Sequence, residues 1–184
     1  MRYLQQIGAY GIDPPISRDN LPDNPAAENL AHGLAMAHTA YASSHAVVLF
    51  LVQEPERNVF DQRCIEYRLI EQYGIRTCRM TLKEIATSGK LDHERRLIVP
   101  IPSTERATQE VSVVYLRAGY GPRDYPTRVE WQARRLLELS RAIKCPTIIT
   151  QLAGCKKVQQ VLAMPKVLER YLLLEKGSNQ ILGL

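Results

Sequence analysis

The sequence predicts an α/β fold of three layers, a Rossmann-like domain in which helices cover both faces of a mainly parallel sheet. Short apolar runs rich in β-branched residues alternate with segments of helical periodicity over residues 46–165. This alternation is typical of strand–helix–strand units, whose strands pair in parallel. At 184 residues, 45% of them hydrophobic, the chain can bury one substantial core. We therefore expect a single domain over residues 1–184, with an unassigned tail at 175–184.

Residues 1–25 are expected to form an irregular arm, because the stretch 13–25 contains four prolines. A helix is predicted to follow the arm. Asp23 or Asn24 can accept hydrogen bonds from its first free amides, and Pro25 suits its first turn. The apolar residues at helical spacing, which predict the buried face of this helix, are Ala27, Leu30, Leu34, Ala37 and Tyr41.

The continuous apolar run 46–52 predicts a strand that is buried on both faces. A second helix is predicted from Asn58 to Tyr73, and Gly74 suits its carboxyl end because glycine adopts the left-handed conformation readily. Residues 75–80 are predicted to form the next strand. The predicted apolar face of the second helix, with residues about one turn apart, consists of Phe60, Cys64, Tyr67 and Ile70.

Two capping boxes predict the starts of two further helices. In each, a threonine can accept a hydrogen bond from the amide three residues on, while a glutamate there reaches back to the threonine amide. Thr81 and Glu84 are predicted to open a short helix, and Thr127 and Glu130 a longer one. The apolar residues of the longer helix are Trp131, Leu136, Leu137 and Leu139.

The remaining strands are predicted from short apolar runs. Residues 96–100 and 111–117 are expected to be strands, with a polar loop at 101–110 between them. Residues 147–150 are predicted to form the last strand, because two isoleucines lie between two threonines. A last helix is expected to begin at about Lys156.

The composition excludes several function classes. The net charge is +5, but no lysine-rich run or repeated basic-aromatic pattern indicates nucleic-acid binding. The longest apolar run is far shorter than the roughly 20 residues that a membrane helix needs, and no long apolar stretch near the amino terminus resembles a signal peptide, so a cytoplasmic protein is expected. The nucleotide-binding patterns GxGxxG and GxxxxGK[ST] are absent from the sequence.

A metal site is not expected. The four cysteines show no CxxC spacing, and the four histidines form no HExxH pair. Reduced cysteines in core positions are the expected arrangement. The cysteines are Cys64, Cys78, Cys145 and Cys155, and the histidines are His32, His38, His45 and His93.

Three predicted strands end in polar segments, at residues 53–58, 117–125 and 151–157. Parallel strands deliver such segments to one edge of the sheet, which is where ligands bind in open α/β sheets. A carboxylate, two amides, a guanidinium, a phenol and two amines there suit a small zwitterionic ligand. Since no nucleophile–base pair stands out, no catalytic residue is predicted. The side chains are Glu56, Asn58, Gln62, Arg117, Tyr120, Lys156 and Lys157.

Residues near the helix starts each have a purely structural alternative. Glu56 could be a solvated acid of a loop, and Asn58 could simply cap the second helix. Gln62 lies in the first turn of that helix, where spacing alone favours a solvent-facing side chain. Lys156 and Lys157 could be solvated, although lysines at a helix start oppose its dipole and suggest a nearby anion.

The segment 117–125 also leaves alternatives open. Arg117 could be a surface arginine, although it ends a strand that is expected to be buried. Tyr120 could pack against the domain rather than face a ligand. Gly119 and Gly121 could serve only to shape a turn.

Three segments resemble the eukaryotic glutathione synthetases, in a form that looks fungal. They are residues 53–63, 113–125 and 144–163. The resemblance extends from about residue 3 to about residue 172 and concerns the substrate-binding domain of that family. It implies a Rossmann-like fold of the kind that accompanies ATP-grasp modules.

The resemblance implies an enzyme that joins γ-glutamylcysteine to glycine with ATP and magnesium, through an acyl phosphate of the cysteinyl carboxylate. Matched motif by motif, Lys156 would approach ATP. Cys155 departs from the family pattern, which usually has a small hydroxyl residue there. The residues that would contact γ-glutamylcysteine are Glu56, Asn58, Gln62, Arg117 and Tyr120.

The family enzyme is much longer than this chain, so the resemblance implies an isolated domain. Its ATP-grasp core and magnesium-binding acids would lie elsewhere, and this chain alone is expected to bind no cofactor. The implied partners are γ-glutamylcysteine or glutathione and the remaining part of the enzyme, which would be a homodimer. Two functions stay open: part of a ligase active site, or a free-standing module that binds without catalysis. Release of ADP in the presence of both substrates would distinguish them.

Overall fold

The structure, a computed structural model, describes residues 23–101 and 104–174. Most of the predicted arm and the whole predicted tail lie outside the described residues. The elements are α1 (Ala26–Tyr41), β1 (Val47–Leu51), α2 (Val59–Tyr73), β2 (Thr77–Met80), α3 (Leu82–Ser88), β3 (Lys90–Leu91), β4 (Leu97–Ile101), β5 (Thr104–Leu116), a 3₁₀ turn (Pro122–Asp124), α4 (Arg128–Leu139), β6 (Ile143–Cys145), α5 (Ile148–Ala153), α6 (Lys156–Leu162) and α7 (Val167–Leu174).

The strands form one sheet in the order β2–β1–β5–β4–β3, and β6 also pairs with β5. Pairing is parallel for β1 with β2, for β1 with β5 and for β5 with β6, whereas β3–β4 and β4–β5 are antiparallel. One side of β5 pairs with β1. On its other side, the residues up to Val111 pair with β4, and the residues from Val113 onward pair with β6.

Strand β1 lies in the middle layer, and all five of its residues are buried. Alternate side chains point to opposite faces of the sheet. Val47, Leu49 and Leu51 belong to a core cluster that includes residues of α3 and α4. Val48 and Phe50 belong to a second cluster that includes residues of α1 and α2. Helices therefore cover both faces, and the predicted α/β fold is confirmed.

The predicted polar loop at 101–110 is wrong for most of its length, because β5 begins at Thr104. This half of β5 forms an antiparallel pair with β4, in which Ile98 lies opposite Glu110 and Val99 opposite Gln109. Thr108 is exposed and Gln109 is half-buried. An antiparallel strand near the end of a sheet tolerates polar side chains, so composition alone does not distinguish it from a loop.

The predicted strand at 147–150 is also wrong. The last strand is Ile143–Cys145, and residues 148–153 form helix α5. Thr147 is the cap of that helix, since its hydroxyl accepts a hydrogen bond from the amide of Thr150 at 3.2 Å. A favourable cap therefore prevails over the β-propensity of the two isoleucines.

Two capping predictions are confirmed and one is corrected. The boxes that begin at Thr81 and Thr127 are both present. At the start of α1, however, Pro25 occupies the cap position, and Asn24 accepts a hydrogen bond of 3.3 Å from the amide of Ala26. The chain enters α1 one residue later than predicted.

The buried face of α1 is rotated relative to the predicted one. Leu34 and Tyr41 are buried as predicted, but Leu30 is exposed, and Ala31 and Ala35 are buried in its place. Small residues let the helix lie close to the sheet, which the spacing of the larger apolar residues does not indicate. None of the helices formed by residues 23–101 and 104–174 is both long and apolar enough to cross a membrane.

The predicted apolar face of α2 is wrong. Phe60 is 85% exposed, and Tyr67 and Ile70 are exposed as well. Gly74 ends the helix in the left-handed conformation, as predicted. Two of the residues that α2 buries are polar, and their partners come from other parts of the fold. The buried residues of α2 are Gln62, Ile65, Glu66 and Leu69.

Helix α4 also departs from its predicted face. Leu137 is buried as predicted, whereas Trp131 and Leu139 are exposed. The other buried residues are Ala133 and the charged Arg134. A charged residue on the inner face is the reason that apolar spacing identified this face only in part.

Candidate functional site

The loops after β1 and β5 begin side by side. The two strands are adjacent and parallel, with Leu51 opposite Leu116. The amide of Arg117 continues their ladder by donating a hydrogen bond of 3.0 Å to the carbonyl oxygen of Leu51. The predicted juxtaposition of Glu56 and Arg117 at one sheet edge follows from this pairing.

Glu56 organises the loop after β1. Its Oε1 accepts a hydrogen bond of 2.8 Å from the amide of Asn58, and its Oε2 accepts one of 2.8 Å from Nε2 of Gln62. Partial burial raises the pKa of the Glu56 carboxyl, but these hydrogen bonds and two from neighbouring amides outweigh that effect, so the pKa is lowered. Glu56 is therefore an ionised, half-buried carboxylate rather than a freely solvated acid.

Gln62 is not solvent-facing, because only 1% of it is exposed. Its Nε2 donates to Glu56, and its Oε1 accepts a hydrogen bond from Nη2 of Arg79 on β2. Nη1 of Arg79 pairs with Glu66, whose other oxygen accepts from Arg63 at 2.6 Å. A continuous chain of polar contacts thus extends from Glu56 into the interface between α2 and the sheet. Residue spacing does not indicate Arg79 or Glu66, since their pairing spans separate elements.

Asn58 occupies the cap position of α2, but its side chain makes no capping hydrogen bond with the described residues. The side chain is exposed. Glu56 instead holds the backbone of Asn58, by accepting a hydrogen bond from its amide. The structural alternative of Asn58 as a side-chain cap is therefore wrong, and its side-chain amide is exposed instead.

Arg117 projects from the end of β5 into a half-buried position. Its Nε is buried and has no hydrogen-bond partner within the part of the chain that the structure describes. Burial raises the pKa of Tyr115 and of Tyr120, and the positive charge of Arg117 opposes that rise in both. At Tyr115 a side-chain hydrogen bond with Arg117 opposes it as well. Glu56 acts on Tyr120 in the other direction and contributes to its raised pKa. The charges of Arg117 and Glu56 thus both act on Tyr120.

The turn after β5 depends on Gly119. Its φ is +85°, and a Cβ built on it would lie 2.9 Å from the hydroxyl of Tyr125. Gly121 has open space around it and extended backbone, so only the first of the two glycines is required by the turn. Asp124 fixes the tip of the turn, since its Oδ2 accepts from the amides of Tyr120 and Gly121 at 2.8 and 3.1 Å. The ring of Tyr120 is 59% exposed, so it is not packed into the domain.

Arg134 anchors this turn from α4. The Gly119 carbonyl oxygen accepts from the hydroxyl of Tyr125 at 3.1 Å and from Nε2 of Gln151 at 3.0 Å. Arg134 donates to that same hydroxyl at 3.1 Å and to Oε1 of Gln151 at 3.0 Å, while its Nε donates to Glu138 at 2.8 Å. The helical spacing of Arg134 and Glu138 is the only sequence signal for this group.

Lys156 and Lys157 lie apart from the other predicted site residues. Both are exposed at the start of α6, where they donate to Gln159 at 3.4 Å and to Gln160 at 3.0 Å. Since β6 ends before α5, these lysines follow a helix rather than a strand. The structure thus joins Glu56 with Gln62 and places Arg117 beside Tyr120, but the described contacts do not connect either lysine with them.

The cysteines are all free, and only Cys78 is fully buried. Cys155 is exposed before α6, with Sγ 3.8 Å from the carbonyl oxygen of Gln151. Among the described residues, no group of three or more histidine, cysteine or acidic side chains could hold a metal ion.

The arrangement suits a ligand of mixed charge. Glu56 presents an ionised carboxylate, and Arg117 presents a buried donor that has no partner among the described residues. Tyr120 adds an exposed phenol and Asn58 an exposed amide. A zwitterion can satisfy both charges.

The model of the eukaryotic glutathione synthase family matches residues 46–153, which is more than half of the chain. The chain belongs to this family. The matched range includes both polar loops and the turn at Gly119, so the family assignment covers the edge of the sheet described above.

Relatives of this glutathione synthase family member come from a plant, an amoeba and an animal. The chain is 45% identical to the chloroplastic glutathione synthetase of Solanum lycopersicum, over 92% of this chain and 29% of that protein. It is 43% identical to glutathione synthetase of Dictyostelium discoideum over 88% of the chain and 33% of the relative, and 49% identical to that of Homo sapiens over 83% and 30%. The chain thus spans about 30% of the length of these relatives.

A solved structure shares the fold. It is that of a glutathione synthetase-like effector from Globodera pallida in its apo form, with a TM-score of 0.67 and 22% sequence identity. The match covers 95% of this chain and 37% of the other. At this identity the likeness concerns the fold alone.

Proposed function

We propose that this chain is the substrate-binding domain of a glutathione synthetase and binds γ-glutamylcysteine for its ATP-dependent ligation to glycine. The observation that supports this most is the buried Nε of Arg117, which lacks a partner among the described residues at the ligand-binding edge of the sheet. A buried donor without a partner carries a desolvation penalty, and a ligand carboxylate would remove it.

Opposite charges at this edge suit the dipeptide. A carboxylate of γ-glutamylcysteine would accept two parallel hydrogen bonds from the planar guanidinium of Arg117. Its α-ammonium group would face the ionised carboxylate of Glu56, whose lowered pKa keeps it charged at neutral pH. Tyr120 would border the ligand and Asn58 would offer its side-chain amide. Gln62 would act through Glu56, because the described contacts of its own amide are to Glu56 and Arg79.

The chemistry of the ligation would require groups from the rest of the enzyme. In the proposed reaction, ATP transfers its γ-phosphoryl group to the cysteinyl carboxylate of the dipeptide with release of ADP. The amine of glycine then attacks the resulting acyl phosphate, which forms the amide and releases phosphate and a proton. This chain would hold and orient the dipeptide, and Lys156 is proposed to face ATP. No step of the reaction is assigned to magnesium, since the described residues include no cluster of three or more histidine, cysteine or acidic side chains.

Several wider statements stay predictions. They are a single domain over the whole chain, a fungal form of the enzyme, a cytoplasmic location, association with the remaining ATP-grasp part and a homodimer of the complete enzyme. The family membership and the length of the relatives support association with further enzyme segments. Co-expression of this chain with such segments, followed by size-exclusion chromatography, would test that association.

The test of the site is to titrate this chain with γ-glutamylcysteine and follow binding by NMR or calorimetry. Arg117→Lys keeps the charge but removes the planar fork, so we expect the affinity to fall by roughly 10- to 100-fold. The matched control is Arg135→Lys, which changes an exposed arginine of α4 and should leave the affinity unaltered. Equal affinities of the wild type and Arg117→Lys would show that Arg117 does not bind the dipeptide.

The alternative function is a free-standing module that binds a small molecule or a protein without catalysis. Binding of γ-glutamylcysteine by the chain would be compatible with both functions. Release of ADP upon addition of ATP, γ-glutamylcysteine and glycine separates them. We expect no turnover by this chain alone, and turnover once the remaining enzyme segments are supplied. Their failure to restore turnover would favour the binding module.

A further inference from the structure

A buried amide connects the ligand edge to the interior of the domain. Gln62 is almost completely buried, and its two amide atoms face different partners. On one side lies the carboxylate of Glu56, 2.8 Å from Nε2, and on the other lies the guanidinium of Arg79. The oxygen and nitrogen of a side-chain amide are similar in size, so the partners decide which atom points where.

Arg79 decides the orientation of this amide. A guanidinium only donates hydrogen bonds, so the group facing Arg79 must be the oxygen of Gln62. The NH₂ group of Gln62 is then directed at Glu56, which as a carboxylate only accepts. The reverse orientation would set donor against donor and acceptor against acceptor. Arg79 on β2 thus determines that the NH₂ group of Gln62, and not its oxygen, contacts the carboxylate of Glu56.

Arg79 is itself firmly held. Its Nη1 pairs with Glu66, which is only 4% exposed, and Glu66 also accepts from Arg63 at 2.6 Å. An ion pair with little exposure to water is costly to break, and the side chain of Arg79 is only 18% exposed, so Arg79 is held beside Glu66. The guanidinium therefore presents a fixed donor to Gln62.

We propose that Arg79, whose described contacts are to Gln62 and Glu66, is a positioning residue. It orients the amide of Gln62 and thereby holds the carboxylate of Glu56 towards the ammonium group of the ligand. This inference rests on the proposed function, in which Glu56 meets the α-ammonium of γ-glutamylcysteine. Arg79 contributes to specificity for the amino group and not to binding of the rest of the dipeptide.

The test compares two ligands on the chain as it stands. One is γ-glutamylcysteine, and the other is glutarylcysteine, which differs by lacking the α-amino group. We expect the wild type to bind γ-glutamylcysteine about 10-fold more tightly than glutarylcysteine, since the two ligands differ by one charge-assisted contact. Arg79→Lys retains the charge opposite Glu66, but a single ammonium cannot replace the two-armed contact with Glu66 and Gln62. Its preference should fall to about 3-fold or less, with the affinity for glutarylcysteine nearly unchanged.

The matched control is Arg76→Lys, just before the same strand, where the arginine is exposed and donates to the carbonyl oxygen of His45 at 3.0 Å. It should keep the wild-type preference. If Arg79→Lys does not fold, Glu66→Gln supplies the same test, because it weakens the hold on Arg79 and leaves the ligand edge intact. Glu66→Gln should also lower the preference for γ-glutamylcysteine over glutarylcysteine, but by less than Arg79→Lys does.

The outcomes separate this proposal from the proposed function. If the wild type prefers γ-glutamylcysteine and the Arg79 or Glu66 variant keeps that preference, the positioning role is overturned while the proposed function stands. If both ligands weaken equally in the variant, Arg79 is merely structural and the proposal fails. If the wild type binds neither ligand, the proposed function fails and the positioning role fails with it.

Discussion

The loops that follow β1 and β5 are held in different ways. After β1, Glu56 and Gln62 are engaged by each other and by Arg79, so these polar groups are paired within the domain. After β5, the turn is equally well anchored through Gly119, yet Arg117 retains a buried donor without a partner among the described residues. In the segment after β1, the polar side chains of Glu56 and Gln62 have hydrogen-bond partners. In the loop after β5, the Nε of Arg117 has none among the described residues. Under the proposed function, a ligand would gain most by pairing with Arg117 in the second loop, while Glu56 in the first loop would supply a charge that is already in place.

The largest effect is expected from the support of the β5 loop. Arg134→Met removes the guanidinium that donates hydrogen bonds to Tyr125, Gln151 and Glu138. These half-buried side chains then each lose one hydrogen bond. We expect the free energy of unfolding to fall by about 2–3 kcal/mol, measured by urea denaturation. Arg135→Met, the exposed neighbour, should change it by less than about 0.5 kcal/mol. Equal losses in the two variants would mean that the group at Arg134 does not hold the turn.

A smaller effect is expected from the turn itself. Gly119→Ala places a side chain at a positive φ and against the hydroxyl of Tyr125, which should lower the free energy of unfolding by about 1–2 kcal/mol. Gly121→Ala is the control, because nothing lies within 4 Å of the position that its methyl group would take, and its backbone is extended. Its cost should stay below about 0.5 kcal/mol in the same denaturation experiment. If Gly121→Ala were the more harmful variant, the assignment of the required glycine would be reversed.

The smallest effect is expected in the β1 loop. Asn58→Ala should lower the free energy of unfolding by less than about 0.5 kcal/mol, because Glu56 and not the Asn58 side chain holds this helix start. Thr81→Ala, which destroys a real capping box, should cost about 1 kcal/mol. Both are measured by thermal or urea unfolding. A loss in Asn58→Ala as large as that in Thr81→Ala would show that Asn58 caps α2 after all.

Local features of the fold could be predicted from the sequence. The capping boxes at Thr81 and Thr127 involve residues three positions apart, so the sequence contains all that is needed to predict them. The buried run of β1 and the left-handed end of α2 at Gly74 are equally local. The shared edge for Glu56 and Arg117 also followed, since it depends only on two parallel strands being adjacent.

What the sequence did not reveal depends on partners distant along the chain. Gln62 and Glu66 are buried because Arg79 on β2 pairs with both, and apolar spacing therefore selected the wrong face of α2. The sequence does not distinguish Arg134 from the other arginines, because its partners Tyr125 and Gln151 are brought to it only by the fold. The ligand-binding roles of Glu56, Asn58, Arg117 and Tyr120 stay predictions, because they concern a separate molecule, γ-glutamylcysteine.

Strand β5 joins two kinds of pairing, and this has a consequence for assembly. Its first half pairs with β4, whose residues are near in sequence, as in Ile101 opposite Thr104. Its second half pairs with β1, as in Val47 opposite Val111, across a much longer stretch of chain. Closing a longer loop loses more chain entropy, so the antiparallel half is the easier one to form. The half of the strand that leads to Arg117 therefore depends on the most distant contacts of the sheet.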